Sequence, residues 1–160
     1  EVMEQYYPVL FDEYSLHEGS GGAGQQRGGF GVNYKVRLRR GTARASMVMD
    51  HGRVGPQGVL GGEDGGVNQV RIERSNETYI PPHLSKDQGI PIEVGDTISV
   101  STPGGGGYGP AWERNPALVQ RDVQRGYYTS EQAVERFGVV FEEGKTDLNL
   151  EATANLRTQE

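Results

Sequence analysis

The segment Asp50-His51-Gly52-Arg53 holds the side chains best suited to chemistry, at the point where a predicted strand meets a glycine-rich loop. Polar groups at such a junction can point into a cleft, which makes Asp50 and His51 candidate catalytic residues and Arg53 a candidate substrate-binding residue. A lone Asp-His pair is also typical of a turn with a solvated imidazole, so both interpretations stay open. The spacing defines no Ser-His-Asp set of catalytic residues.

Arg27 is the one charged residue in the loop from Gly19 to Gly29. A guanidinium group can hold a carboxylate or a phosphate through two parallel hydrogen bonds, which makes Arg27 a second candidate for substrate binding. It can equally bind backbone carbonyl groups that the surrounding glycines leave free. The sequence favours neither interpretation over the other.

Three glycine-rich clusters occupy residues 19–31, 61–66 and 102–109. Main chain without a Cβ can approach an anion closely and offer its N–H groups, which makes four glycines of the third cluster candidate substrate-binding residues: Gly104, Gly105, Gly106 and Gly107. The alternative is that the clusters only form sharp turns between strands.

The first cluster has the glycine spacing of a dinucleotide fingerprint, but a strand rather than a helix is predicted to follow it. No cluster has a P-loop ending, so nucleotide binding is not predicted here.

Metal and nucleic-acid chemistry are disfavoured by the composition. The three histidines, His17, His51 and His83, are not spaced to place two imidazoles on one helix face, so we expect no metal site built from this chain alone. An excess of 22 acidic over 16 basic residues gives a formal charge of -6, which argues against a nucleic-acid partner.

The composition also bears on location. No apolar run approaches the roughly 20 residues that cross a bilayer, so no membrane partner is expected. The absence of cysteine excludes disulfides and fits a reducing compartment, which makes the cytoplasm the expected location. The chain begins at Glu1, without an initiator Met or a signal peptide, which suggests a fragment of a longer polypeptide.

The elements that must position these groups are mainly strands, in an α+β fold of antiparallel strands with glycine-rich loops and a small C-terminal helical hairpin. Strict alternation from Phe30 to Arg39 predicts a half-buried strand, and the run from Ala43 to Asp50 is predicted to pair with it as a hairpin. Further strands are predicted at Tyr6–Leu16, Val67–Glu73 with Thr78–Ile80, Thr97–Val100 and, as a last strand, Gly138–Glu142.

Two short helices are predicted near the C-terminus. Asn115 can cap the first helix, with Pro116 at its first position. Thr129 and Gln132 have the spacing of a capping box for the second helix, which is predicted to end at Gly138. We expect one domain over residues 1–142, whereas residues 143–160 are polar, lack aromatics and are predicted to form a mobile, disordered tail.

A long string around the third glycine cluster carries a resemblance to a known family. It reads Thr-Pro-Gly-Gly-Gly-Gly-Tyr-Gly-Pro from Thr102 to Pro110 and continues with Arg114-Asn-Pro, Asp122-Val123 and Gly138-Val-Val. Two further blocks precede it, Gly-Gly-Ala-Gly-Gln-Gln-Arg-Gly-Gly-Phe-Gly and Gly58-Val-Leu-Gly-Gly. With these blocks the chain resembles the carboxy-terminal region of the hydantoinase B/oxoprolinase family, which includes N-methylhydantoinases and is similar to large subunits of ketone carboxylases.

The resemblance implies that this is the C-terminal part of the B-type subunit of an ATP-dependent cyclic amide hydrolase. In that family a hydantoinase A-type subunit uses ATP to activate a cyclic amide or a ketone by phosphorylation, and the B-type subunit completes ring hydrolysis or carboxylation. The resemblance places ATP and a divalent metal elsewhere in the assembly, with no cofactor within this chain. The implied partners are the A-type subunit, the remainder of the B-type subunit and a small-molecule substrate.

Other functions are compatible with the same residues. The chain could be a structural module that docks the partner subunit, or part of a related ketone carboxylase. A free-standing hydrolase is the least favoured interpretation because paired catalytic groups are scarce, and the isolated fragment is expected to be inactive.

Overall fold

The computed structural model describes residues 2–158, which form two antiparallel sheets and four α-helices. The strands in this range are β1 Val9–His17, β2 Gly31–Leu38, β3 Ala43–Val48, β4 Gln69–Glu73, β5 Thr78–Tyr79, β6 Lys86–Ile92 and β7 Thr97–Ser101. The helices are α1 Val2–Tyr6, α2 Pro116–Gln124, α3 Ser130–Phe137 and α4 Leu150–Arg157, and a short 3-10 helix covers Ala111–Glu113. The fold is mainly β with a small helical part, as the sequence predicts.

The larger sheet has five strands in the order β1-β2-β7-β4-β5. The strand predicted at Phe30–Arg39 is confirmed as β2, which lies between β1 and β7. Tyr34 of β2 lies opposite Tyr14 of β1 and Val100 of β7, so these three side chains share one face of the sheet. The predicted pairing of β4 and β5 around the turn at Ser75-Asn76 is also confirmed.

The smaller sheet consists of β3 and β6 and packs against part of that face. Residues of both sheets form one buried apolar core: Leu38, Met47, Val70, Ile72, Ile90, Ile92 and Val100. Met47 of β3 is 8% exposed and the next residue, Val48, is 87% exposed, so these successive residues point to opposite sides of the strand.

The predicted hairpin between β2 and β3 is wrong. Both edges of β2 are occupied, by β1 and by β7, and β3 pairs instead with β6, where Ala45 lies opposite Ile90. Apolar alternation determines which face of a strand is buried, but it does not determine which strand lies alongside it.

The C-terminal helical hairpin of α2 and α3 is confirmed together with its caps. Asn115 Oδ1 accepts a hydrogen bond of 2.9 Å from the N–H of Ala117, at the start of α2. Thr129 and Gln132 form the predicted capping box of α3, in which each side chain accepts from the backbone N–H of the other residue. Gly138 ends α3 with a φ of 59°.

The segment after Glu143 differs from the expected mobile tail, because much of it forms helix α4. The Thr153 side chain is buried, and its hydroxyl accepts a hydrogen bond of 3.0 Å from the N–H of Val140. Arg157 donates to the carbonyl oxygen of Phe137 at 2.7 Å and to that of Arg114 at 2.9 Å. Polar anchors therefore hold a helix whose one fully buried residue is Thr153.

The last predicted strand does not form in the described part of the chain. Instead of the suggested strand at Gly138–Glu142, a single isolated bridge joins Phe141 to Leu148. Residues 159 and 160 of the predicted tail lie outside the described residues.

Candidate functional site

Three segments that contain the glycine-rich clusters lie side by side, and we call them the glycine bundle, defined as residues 20–31, 55–66 and 102–109. Each segment is hydrogen-bonded to the other two through the backbone. The N–H of Gly22 donates to the carbonyl oxygen of Gly105 at 2.9 Å, and the N–H of Glu63 donates to that of Ala23 at 2.8 Å. The N–H of Gly107 in turn donates to the carbonyl oxygen of Glu63 at 2.8 Å.

Glycine is required at several positions of this bundle because the backbones there approach too closely for any side chain. A Cβ placed on Gly28 would lie 1.9 Å from the carbonyl oxygen of Gly105. A Cβ on Gly62 would lie 2.2 Å from the carbonyl oxygen of Gly107, and one on Gly106 would lie 2.1 Å from that of Gln57. The same steric reason confines the axis of the collagen triple helix to glycine. These positions are occupied by glycine because the segments pack closely, and not because the chain turns there.

The hydrogen bonds of the bundle limit which of the residues from Gly104 to Gly107 can bind an anion through their N–H groups. The N–H of Gly105 donates to the carbonyl oxygen of Gly29, and that of Gly107 donates to Glu63, so both are engaged within the bundle. Gly104 is buried and Gly106 is partly exposed. Anion binding by this segment stays a prediction, and it depends on the N–H of Gly106.

Arg27 binds a carboxylate of the chain itself. Its Nε lies 2.9 Å from Asp122 Oδ2 and its Nη2 lies 3.2 Å from Asp122 Oδ1, while its Nη1 donates to the carbonyl oxygen of Gly28 at 3.0 Å. Arg114 donates to the same Asp122 Oδ2 at 3.0 Å. The guanidinium of Arg27 also lies 4.7 Å from the ring centre of Phe30, within range of a cation–π contact.

Asp122 is the centre of this ion cluster, and its side chain is 2% exposed. Burial alone raises the pKa of the Asp122 carboxyl group, but the hydrogen bonds and positive charges of Arg27 and Arg114 outweigh burial, so its pKa lies below the ordinary value. The carboxylate therefore stays ionised and connects α2 to the glycine bundle. Arg114 and Asp122 belong to the sequence motif that resembles the family, but no pattern in the sequence indicates a role for either residue.

Asp50, His51 and Arg53 all line one surface hollow of about 530 Å³, together with His83 and Lys86. The structure therefore brings the first group of candidate residues together. Asp50 Oδ1 accepts a hydrogen bond of 2.6 Å from Lys86 Nζ, which lowers the pKa of Asp50. His51 Nδ1 lies 3.1 Å from the carbonyl oxygen of Val54, so Asp50 does not orient the imidazole.

His51 adopts a left-handed backbone conformation, with a φ of 60°. Residues other than glycine rarely occupy this region, and such positions are concentrated at functional sites. Arg27 and the glycines from Gly104 to Gly107 do not line the hollow that holds His51. The candidate residues therefore form two separate groups.

A second hollow, of about 540 Å³, lies between the polar face of the β1–β2 pair and the end of α2, where Phe30, Asn33 and Tyr127 line it. No residue of the two candidate groups faces it. Within residues 2–158, His, Asp and Glu side chains form no group of three or more that could hold a metal ion. In the same range no helix has both the length and the apolar character to span a membrane.

Comparison with known proteins gives the family. The family model for hydantoinase B/oxoprolinase matches residues 1–111. The B-type subunit of a putative D-/L-hydantoinase from Pseudomonas sp. (strain NS671) is 33% identical to this chain, and the match covers 98% of this chain and 26% of that protein.

Two solved structures share the fold. The crystal structure of the ATP-dependent caprolactamase from Pseudomonas jessenii has a TM-score of 0.77 at 27% identity, covering 98% of this chain and 27% of that chain. The nucleotide-free structure of acetone carboxylase has a TM-score of 0.77 at 18% identity, covering 95% of this chain and 24% of that chain. This chain spans about a quarter of the length of each of these proteins. Because the family model matches more than half of the chain, the chain belongs to the hydantoinase B/oxoprolinase family.

Proposed function

We propose that this chain is the C-terminal part of the B-type subunit of an ATP-dependent hydrolase of cyclic amides, of the hydantoinase or oxoprolinase type. One observation carries the proposal: the chain is similar over nearly its whole length to the B-type subunit of a putative D-/L-hydantoinase. The fold, which is shared with an ATP-dependent caprolactamase, supports it. Hydantoins, 5-oxoproline and caprolactam are all cyclic amides, so ring opening is the reaction these relatives have in common.

In this proposal the rest of the assembly supplies ATP and the divalent metal. We propose that an A-type subunit uses ATP to phosphorylate the cyclic amide, and that the remainder of the B-type subunit carries the divalent metal. In this scheme the assembly is cytoplasmic, and the isolated chain is inactive.

Within the chain, the glycine bundle is a rigid frame in this proposal. Its three backbones hydrogen-bond to one another and leave no room for a side chain at Gly28, Gly62 or Gly106, which supports a structural role. The reactive role is assigned to the hollow with Asp50, His51 and Arg53, where three polar side chains are exposed and the His51 backbone is strained. Asp50 and His51 would transfer protons, and Arg53 would hold a negatively charged group of the activated substrate.

A docking module of the same assembly is the second candidate function. Two observations favour it: Arg27 is already engaged with Asp122, and Asp50 is bound to Lys86 rather than to His51. In that case substitutions at the hollow would leave turnover unchanged in the assembled enzyme, and substitutions in the bundle would reduce assembly.

The proposal is tested with the complete B-type subunit, co-expressed with its A-type partner and assayed with ATP against hydantoin, 5-oxoproline and caprolactam. We expect ring opening of at least one of them. Carboxylation of acetone in the presence of bicarbonate, with no ring opened, would assign the chain to a ketone carboxylase instead.

A further inference from the structure

Strand β1 leaves apolar side chains exposed on a face that is buried elsewhere in the same sheet. Tyr14 of β1 lies opposite Tyr34, which lies opposite Val100, a residue of the buried core. Directly opposed residues of neighbouring strands point to the same side of a sheet, so Tyr14 is on the core face. Tyr14 is nevertheless 73% exposed.

The same arrangement holds along the strand. Phe11 lies opposite Val36 and Leu16 lies opposite Val32, and both β1 residues are exposed. Of the β1 residues in the described structure, only Val9 packs against the core that the small β3–β6 sheet completes. Phe11, Tyr14 and Leu16 therefore form an apolar surface that the described part of this chain leaves exposed, and we call it the β1 face.

Strand β1 is also at the edge of its sheet, and it is nine residues long. Proteins normally shorten, charge or cover such an edge, because its free backbone groups and apolar side chains bind other chains. Within the described range, 16 large apolar residues are exposed, and seven of them lie between residues 2 and 16. Such a concentration marks an interaction surface rather than scattered surface residues.

We propose that the β1 face is the surface on which the remainder of the same B-type polypeptide packs. This inference rests on the proposed function, because the occupant is the part of the subunit that lies outside this chain. The chain spans about a quarter of its relatives' length, so the missing three quarters offer ample surface.

The chemistry of the β1 face favours such a permanent contact over a separable partner. Permanent interfaces resemble a protein core, whereas interfaces that form and dissociate are more polar and carry charges at their rim. The β1 face consists of two aromatic side chains and a leucine. The neighbouring charges are already paired within the chain, Asp12 with Arg37 at 2.6 Å and Glu13 with Lys35 at 3.2 Å.

The test compares two single variants of the complete B-type subunit, Tyr14→Cys and Ser15→Cys. Ser15 is the next residue of the same strand, is also exposed and points to the opposite face, so it is a matched control. The chain has no cysteine of its own, so each introduced thiol can be followed in its own peptide by mass spectrometry. In the subunit alone, we expect a maleimide to modify the Tyr14→Cys thiol at least about tenfold more slowly than the Ser15→Cys thiol.

Equal labelling rates would overturn the inference. Protection that appears only when the A-type subunit is added, or that increases with subunit concentration, would also overturn it, because the occupant would then be another chain. Hydroxyl-radical oxidation of Tyr14 in the unsubstituted subunit gives a second measurement. Oxidation much slower than in the urea-unfolded subunit agrees with the inference, and oxidation at the unfolded rate contradicts it.

These measurements need no substrate or ATP. A subunit that protects Tyr14 but opens no cyclic amide would therefore contradict the proposed function and leave the β1 interface established. A subunit that opens cyclic amides with Tyr14 fully reactive would do the reverse.

Discussion

Arg27 and Asp122 form two hydrogen bonds, of 2.9 and 3.2 Å, that join the first segment of the glycine bundle to helix α2. Arg114 binds the same carboxylate at 3.0 Å. A carboxylate buried this deeply is stable only while it is paired, so the cluster depends on both arginines.

Replacing Arg27 with Ala should destabilise the contact between α2 and the bundle by about 3 kcal/mol, because Asp122 keeps its buried charge and loses two hydrogen bonds. Hydrogen exchange of α2 peptides in the complete B-type subunit measures this loss. Arg121 is an exposed arginine of α2, and Arg121→Ala serves as the control, with an expected change within about 0.5 kcal/mol. If Arg27→Ala leaves ATP-dependent turnover of the folded assembly unchanged, Arg27 does not belong to the substrate site.

The ion cluster also predicts a pH dependence of stability. The pKa of Asp122 is lower in the folded protein than in the unfolded chain, so ionised Asp122 stabilises the fold above its unfolded pKa of about 3.9. This contribution is lost as the pH falls through the lower pKa of the folded state. The difference in melting temperature between the natural sequence and Asp122→Asn should therefore be constant above about pH 5 and shrink below about pH 4. A difference that persists at the lowest pH at which the subunit folds would contradict the ionised cluster.

Adjacent glycines of the bundle should respond very differently to alanine. A Cβ on Gly28 would overlap the carbonyl oxygen of Gly105, so Gly28→Ala should cost about 3 kcal/mol or more. Gly29 is exposed and has no atom within 4 Å of its Cβ position, so Gly29→Ala should change stability by less than about 1 kcal/mol. Thermal unfolding of the two variants of the complete subunit checks the prediction, and equal melting temperatures would show that the bundle is not closely packed.

The C-terminal helix should contribute to stability through one arginine. Arg157→Ala removes charged hydrogen bonds to the carbonyl oxygens of Phe137 and Arg114 and should cost about 2 kcal/mol, measured as faster hydrogen exchange at the end of α3. Asn155 is exposed on the same helix, and Asn155→Ala should leave the exchange rate unchanged. A mobile tail would give the same exchange rate for both variants.

The hollow around His51 gives a prediction on catalysis. His51→Asn keeps a residue type that tolerates the left-handed backbone and removes the imidazole, so it should lower kcat of the assembled enzyme about a hundredfold if His51 transfers a proton. His83 lines the same hollow without an assigned role, and His83→Asn should retain activity. Full activity of His51→Asn with normal assembly would favour the docking module.

Local signals in the sequence were sufficient to predict those elements whose structure depends on residues nearby in the chain. The alternation in β2 and the caps at Asn115 and Thr129 act within a few residues, so they could be predicted. The partner of β3 could not, because it depends on which strands occupy the edges of β2. The anchoring of α4 through Arg157 likewise depends on carbonyl groups far along the chain.

For the candidate site, too, the sequence could not reveal the contacts between segments that are far apart in the chain. The sequence suggested that the glycine clusters are loops, but none of the four glycines from Gly104 to Gly107 has a positive φ. Gly104, Gly106 and Gly107 are glycines because distant backbone segments pack against them, and such contacts leave no local pattern. Asp122 belonged to the family string, yet only the fold reveals that its carboxylate meets Arg27, 95 residues away.

The most direct test of the proposed function is the amount of ADP formed for each ring that the complete assembly opens. If an A-type subunit phosphorylates the cyclic amide before the B-type subunit hydrolyses it, ADP and ring-opened product should appear in equal amounts, and neither should form without ATP. Ring opening at the same rate in the absence of ATP would contradict the proposed function.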